Sequence, residues 1–245
     1  MRTGNLRIDV QYRRGITIAH PVGVLDMATY TSLRDTLLMY AAEQPDGLIV
    51  EVEELEMPSR HALSVFALVA IRVADWPGVP LTLVTPLGDQ RSALANGKVQ
   101  VYGTVQAATA GMARPLARSR AVIELPPLPA STREARSFVR CSCERWRVPT
   151  LIIDAMTVAT ALVENTLIHT DSPALLQMEL RYRTLTIAAS DDDPGLPILH
   201  ERPEGGVAPS GLLLVAAVAQ AWGCMPTMAG GKTVWAVLRL HELPE

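Results

Sequence analysis

The stretch that most constrains the fold runs from Leu151 to Gly195. Its first part, Leu151–His169, repeats apolar residues at helical spacing, which predicts an amphipathic helix with one buried stripe. That stripe contains Ile152, Met156, Ala159, Val163 and Leu167, and another stripe carries Ala161, Asn165 and His169. Two strand-like runs follow, Leu175–Arg183 and Thr184–Ser190, and a polar turn at Asp191–Gly195 ends the second. A carboxylate at the end of the second strand, Asp191, would face the side-chain amide of Asn165 on the helix, and this arrangement favours a nucleotide site.

Composition limits the classes of function that remain. With 245 residues and 49% hydrophobic content, the chain is expected to form two domains. The net charge is −3 and the basic residues are dispersed, which argues against direct nucleic-acid binding. Ala62–Ile71 and Leu212–Ala219, the longest apolar runs, fall short of the roughly 20 residues of a membrane span. The first residues lack the apolar core of a signal peptide, so we expect a cytoplasmic protein without membrane contact.

The cysteines predict neither a metal site nor a disulfide framework. Cys141 and Cys143 are two positions apart in a predicted helix, where their side chains point in nearly opposite directions. Cys224 stands alone. Three reduced thiols are the expectation, with a redox pair as the alternative.

The first half alternates strands with helices, which predicts a sheet covered by helices. Leu6–Val10 and Ile16–Val24 form an expected hairpin, and Asp26 is a candidate cap for a helix over Met27–Ala42. The remaining elements are strands at Gly47–Val52, Pro80–Thr85 and Lys98–Tyr102, and helices at Ser59–Ala74, after Gly88 and at Thr104–Met112.

Residues 1–117 resemble the STAS domain of bacterial anti-sigma-factor antagonists. The resemblance lies in Gly23–Asp26 before a helix, Leu48–Val52, and the loop that opens the helix at Ser59. In that family a phosphorylated hydroxyl in this loop switches partner binding. Here Ser59, Arg60 and His61 occupy the loop, so the usual phospho-acceptor is missing. Ser59 is the nearest hydroxyl, and it is expected to be an N-cap residue rather than a phosphosite.

A boundary is predicted between Met112 and Ser131, where prolines recur and periodicity is weak. Extended, this linker would reach up to roughly 60 Å. Ser131 and Glu134 have capping-box spacing and predict the start of the next helix.

Residues 120–245 resemble the GHKL ATPase fold, and within it the small serine kinases that act as anti-sigma factors. The fold class expected for the chain is therefore α/β plus α+β, with a STAS-like sheet followed by a Bergerat-type two-layer α/β sandwich. The motifs that carry this resemblance are Leu162–His169, Ser190–Pro197, Ser210–Val215, Trp222-Gly223 and Gly230–Trp235. They occur in family order with family spacing, which is more specific than any one glycine-rich match.

The resemblance implies a role for each matched residue. Asn165 matches the asparagine that holds Mg²⁺, and Asp191 matches the aspartate that recognises the adenine amino group. Gly195 is the last glycine of the first loop, and Gly211 opens the helix whose backbone donors meet phosphate. Thr233 matches a hydroxyl near the adenine.

Three departures from the family pattern argue against catalysis. The kinases' general-base glutamate is replaced by Ala161, which cannot accept a proton. Asp193 brings a charge into a loop where the family has glycine, which weakens triphosphate binding unless a cation intervenes. The lid turn reads Pro209-Ser210 and loses an N–H donor and an arginine. We therefore expect no catalytic residue and only weak binding of ATP and Mg²⁺.

These features predict a regulatory protein of a partner-switching system that controls a sigma factor through protein contacts. The expected partners are a sigma factor, an anti-sigma factor or an antagonist protein, and a homodimer is a further expectation. An active Mg-ATP-dependent serine/threonine kinase and a plain scaffold remain the alternatives. The resemblance also implies a contact between the two domains. Arg60 and His61 would then face acidic residues of the lid side, Asp191–Asp193, Glu201 and Glu204.

Overall fold

The computed structural model describes residues 5–95, 99–112, 118–195 and 211–240. The chain divides into two compact units, Met1–Pro115 and Leu116–Glu245. Over the described ranges, the units together contain two sheets and seven α-helices, a mixed α/β fold.

The first unit is a sheet with helices between its strands, as the alternating pattern predicted. Its strands are β1 Leu6–Arg13, β2 Ile16–Val24, β3 Gly47–Glu51, β4 Leu55–Glu56, β5 Leu81–Val84 and β6 Gln100–Tyr102. Its helices are α1 Tyr30–Ala42, α2 Ser64–Asp75, α3 Gly88–Leu94 and α4 Val105–Gly111. The sheet order is β1-β2-β3-β5-β6, with β4 beside β2. The predicted hairpin β1–β2 is antiparallel, and the other pairs are parallel.

Two helices of this unit begin later than predicted. α1 begins at Tyr30 because the Asp26 carboxylate first accepts the backbone N–H groups of Ala28 and Thr29, at 2.8 and 3.1 Å. The helix predicted from Ser59 begins at Ser64, after a run of backbone bonds between residues three apart. Ser59 is therefore not the N-cap of α2, and that prediction was wrong.

The second unit is an antiparallel sheet with helices packed on it. Its strands are β7 Arg118–Leu125, β8 Ala174–Arg181, β9 Thr184–Asp191, β10 Ala221–Pro226 and β11 Lys232–Arg239, in the order β10-β11-β9-β8-β7. Its helices are α5 Ser131–Arg145, α6 Ile152–His169 and α7 Gly211–Val218, with a 3₁₀ turn at Pro149–Leu151. α6 packs on β8, β9 and β11, while α5 and α7 contact α6.

Two predictions about the boundary stretch were wrong. β7 lies inside the predicted linker and pairs with β8 over its full length, so much of that stretch is part of a sheet. The predicted capping box is also absent. The Ser131 hydroxyl donates backwards to the Pro126 carbonyl at 2.6 Å, and Ala130 is the N-cap residue.

The helix α6 provides the centre of the second core, although its buried face is rotated from the predicted stripe. Ala155, Val158, Ala159, Leu162 and Thr166 are buried along with Ala161 and Val163, whereas Ile152, Met156 and Leu167 are only partly buried. By length and composition alone, Pro149–His169 would be long and apolar enough to cross a membrane, and 44% of its most apolar window is buried in the protein. Such a segment is also typical of the core helix of a soluble protein.

Candidate functional site

The predicted nucleotide site contains an ion pair between Asp191 and Lys232. The two residues are directly opposite each other in the antiparallel pairing of β9 with β11. The Lys232 ammonium donates to Asp191 Oδ1 at 2.9 Å, and their side chains are 4% and 1% exposed. The Asp191 carboxylate, which the resemblance matched to an adenine-recognising aspartate, is therefore already paired with a cation.

The remaining acceptor positions of Asp191 are also largely occupied. Its Oδ1 accepts the backbone N–H of Asp193 at 3.1 Å, and its Oδ2 accepts the Thr166 hydroxyl at 3.3 Å. A carboxylate offers about four acceptor positions, of which three are used here. Because the side chain is almost completely buried, a purine amino group reaches it only if these partners move.

Asp193 is the second anion held by Lys232. The ammonium lies 2.8 Å from Asp193 Oδ2 and 3.0 Å from its carbonyl oxygen. The sequence predicted that this charge would weaken triphosphate binding unless a cation intervened. The chain itself supplies a cation, but Lys232 is shared by Asp191 and Asp193, so the cluster retains one net negative charge.

These contacts shift two pKa values. The hydrogen bond from Lys232 lowers the pKa of the Asp193 carboxyl, with a smaller contribution from the Gly195 N–H. Burial acts to lower the pKa of Lys232, but the hydrogen bonds to Asp193 and Asp191 outweigh it and the pKa is raised. The Asp193 contribution to stability is thus present at neutral pH and lost as pH falls through its folded pKa. The Lys232 contribution is lost only as pH rises through its raised pKa.

We expect the second unit to lose stability on acidification below about pH 4, where aspartate ordinarily titrates. Thermal unfolding between pH 7 and pH 3 measures this loss. Asp193→Asn should flatten the profile because the amide does not titrate there. An unchanged pH profile in Asp193→Asn would show that this carboxylate is not linked to folding.

Gly231, the residue before Lys232, allows its chain segment to approach the backbone of Asp191 closely. A Cβ at Gly231 would lie 1.9 Å from the Asp191 carbonyl oxygen, so no other residue fits without moving backbone. Next to the ion pair, Thr233 is 3% exposed and its hydroxyl is 2.7 Å from that of Ser190. Thr233 and Asp191 are therefore brought together, as the resemblance implied.

The start of helix α7 lies against Ala161 of α6. Ala161 is 5% exposed on α6. A Cβ built at Gly211, the first residue of α7, would lie only 3.1 Å from the Ala161 Cβ. Glycine at 211 lets the two helices approach closely at Ala161.

The other predicted site residues are less constrained. Asn165 is half-buried on α6, next to Thr166, and Gly195 is exposed and donates its N–H to Asp193 Oδ1 at 3.2 Å. Pro209, Ser210, Glu201 and Glu204 lie outside the described residues. Over the described part of the chain, no group of three or more His, Cys, Asp or Glu residues is arranged to hold a metal ion. Sequence reasoning missed the roles of Thr166 and Lys232.

The predicted switch loop of the first unit faces a cavity of about 600 Å³. Arg60 lines this cavity. Of its two neighbours in sequence, Ser59 is half-buried and His61 is exposed. The cavity is also lined by four carboxylates, those of Glu53, Glu54, Glu56 and Asp89. The expectation of a cationic face that attracts an acidic lid rested on Arg60 and His61 alone. Arg60 thus lies beside carboxylates of its own unit, which that expectation did not include.

No family model and no curated protein matches this chain. Among solved structures, it is similar to an anti-sigma factor antagonist from Mycobacterium paratuberculosis, at 18% identity over 43% of this chain and 92% of that one, with a TM-score of 0.37. The antagonist SpoIIAA in its unphosphorylated form aligns at 15% identity over 43% of this chain and 94% of that one, with a TM-score of 0.33. The RsbU and RsbW domains of a Mycobacterium tuberculosis protein align at 17% identity over 52% of this chain, with a TM-score of 0.39. This chain spans 34% of that last structure.

Proposed function

We propose that the chain is a two-domain regulator of a bacterial partner-switching system and acts by binding proteins. Its first domain would be STAS-like and its second GHKL-like, with a nucleotide site that binds ATP weakly and does not catalyse phosphate transfer. The observation that carries the second part is the buried pair of Lys232 with Asp191. A site whose adenine acceptor is neutralised and enclosed by its own chain favours a binding module over an ATPase.

The position of Ala161 supports the same conclusion independently. The residue cannot accept a proton, and it is buried in close contact with Gly211 of α7. Loss of the base and occupation of the adenine acceptor concern different steps, namely phosphate transfer and nucleotide recognition. Either change alone weakens a kinase, and together they favour a regulator without phosphotransfer.

Mg-ATP is expected to bind with a dissociation constant of about 100 μM or weaker, which corresponds to about −5.5 kcal/mol. The reason is that the Asp191 carboxylate is almost completely buried and is already paired with Lys232. Isothermal titration calorimetry on the full chain measures this, with Asp191→Asn as the matched control. A low-micromolar affinity that Asp191→Asn abolishes would contradict the proposal.

An active Mg-ATP-dependent serine/threonine kinase is the alternative function. It is favoured by the survival of Asn165, Asp191 and Thr233 in family order. Transfer of labelled γ-phosphate to an antagonist protein, absent in Asn165→Ala, would establish it and displace the proposal. Antagonist proteins captured from the native host with the tagged full chain are the appropriate substrates.

The regulatory role itself is tested by affinity capture from the native host with the tagged full chain. The proposal expects a sigma factor, an anti-sigma factor or an antagonist among the captured proteins. Capture should be the same with Mg-ATP and with EDTA, because binding does not use the nucleotide site. If those classes are absent, or if recovery depends on Mg-ATP, the proposed function is wrong.

A further inference from the structure

A row of arginines marks one face of α5. Arg133, Arg136 and Arg140 are spaced by three and four residues, which places them on the same side of the helix. All three are exposed, whereas the opposite face of the helix, with Ala135 and Val139, is fully buried. The row is therefore directed to solvent rather than into the core.

The same arginines line a cavity of about 250 Å³. Its other lining residues are Ser137 and Cys141 on α5 and Met156 on α6. Met156 is only partly buried, so the cavity offers an apolar surface beside three guanidinium groups. We call this feature the arginine groove.

Within the described residues, none of these three arginines forms an ion pair. Elsewhere in the same unit the pattern differs, since Arg120 and Arg181 both bind the carboxylate of Glu179. Like charges at this helical spacing repel one another. The repulsion is relieved when an anion binds between them.

We propose that the arginine groove binds an acidic segment of a partner protein. Guanidinium groups pair with carboxylates through two parallel hydrogen bonds, and three of them in a row suit several carboxylates along an extended or helical segment. Met156 then contacts an apolar side chain of the same segment. The groove is formed by α5 and α6 alone, so this binding does not depend on the nucleotide site or on the proposed regulatory role.

A protein partner fits this surface better than a nucleic acid. The chain contains 25 acidic and 22 basic residues, so it lacks the overall positive charge that usually accompanies nucleic-acid binding. The groove lining also contains no aromatic side chain on which a base would stack.

Cys141 lines the groove, so its rate of chemical labelling can report whether the groove is occupied. This cysteine is exposed, while Cys143 is buried and Cys224 partly buried. Burial raises the pKa of the Cys143 and Cys224 thiols to about 11, which keeps them protonated near neutral pH. A maleimide should therefore label Cys141 first, and an occupied groove should slow that labelling.

The experiment uses a fluorescent ten-residue peptide of glutamate and leucine with the full chain at low salt. We expect saturable binding, slower Cys141 labelling in its presence, and at least tenfold weaker binding in Arg136→Glu. Arg72→Glu in α2 makes the same charge change at an exposed position of the other unit and should have little effect. Circular dichroism confirms that each variant is folded.

Three results would overturn the proposal. They are no binding of the acidic peptide at low salt, equal binding by Arg136→Glu and the wild type, and tighter binding of a single-stranded oligonucleotide than of the peptide. Arg136→Lys separates bidentate recognition from simple charge attraction, since lysine keeps the charge but not the paired donors. We expect an affinity between those of the wild type and Arg136→Glu.

Discussion

Lys232→Met should lower the free energy of unfolding of the second unit by about 3 kcal/mol or more. Methionine keeps an apolar stem of similar shape but removes the ammonium group. The Asp191 carboxylate, 1% exposed, would then be buried without a counter-charge. Urea unfolding followed by tryptophan fluorescence measures the effect, because three of the four tryptophans, Trp146, Trp222 and Trp235, lie in this unit.

Two variants show whether the loss comes from the uncompensated charge. The double variant Lys232→Met with Asp191→Asn should recover most of the stability, because no buried charge remains to be neutralised. Asp193→Asn should cost less than Lys232→Met, since the Asp193 side chain is 37% exposed. Wild-type stability in Lys232→Met would mean that Asp191 does not need the ion pair, and the argument for a blocked nucleotide site would fall with it.

The strands and helices were largely predictable because each depends on a local hydrophobic pattern. β9, α6 and the helices of the first unit follow periodicities of two or close to four residues that are visible in the sequence. The role of Lys232 was not predictable in this way. It depends on the register of β11 against β9, which places position 232 opposite position 191, and register is a long-range property of the sheet.

The errors have the same origin. β7 was assigned to a linker because prolines dominate the stretch, although Ala121, Ile123 and Leu125 alternate inwards as in a strand. The charge of the switch loop was judged from Arg60 and His61, which are adjacent in sequence. The β3–β4 connection, β4 and α3 together bring four carboxylates to the same cavity, and nothing within the loop indicates this.

Hydroxyl groups were also assigned to the wrong partners. Ser131 and Ser59 were both expected to cap helices, but neither does: Ser131 is the first residue of α5, and α2 begins five residues after Ser59. A serine hydroxyl can hydrogen-bond to several nearby backbone groups with similar energies. The direction in which the chain enters the helix therefore determines which group it bonds. Thr104 is the contrasting case, because its hydroxyl does accept the Ala107 N–H at 3.1 Å and caps α4.

Ala161→Glu should destabilise the second unit by about 3 kcal/mol or more and should not produce kinase activity. Ala161 is buried beside Gly211, and overpacking at such a contact costs about 1 to 3 kcal/mol before the buried charge is counted. Ile153→Glu adds the same carboxylate to the same helix at a position that is 76% exposed, and it should have little effect. Thermal unfolding and a γ-phosphate transfer assay measure both outcomes. Phosphotransfer by Ala161→Glu would show that the missing base alone silences this site, and that the pairing of Lys232 with Asp191 does not prevent ATP from binding.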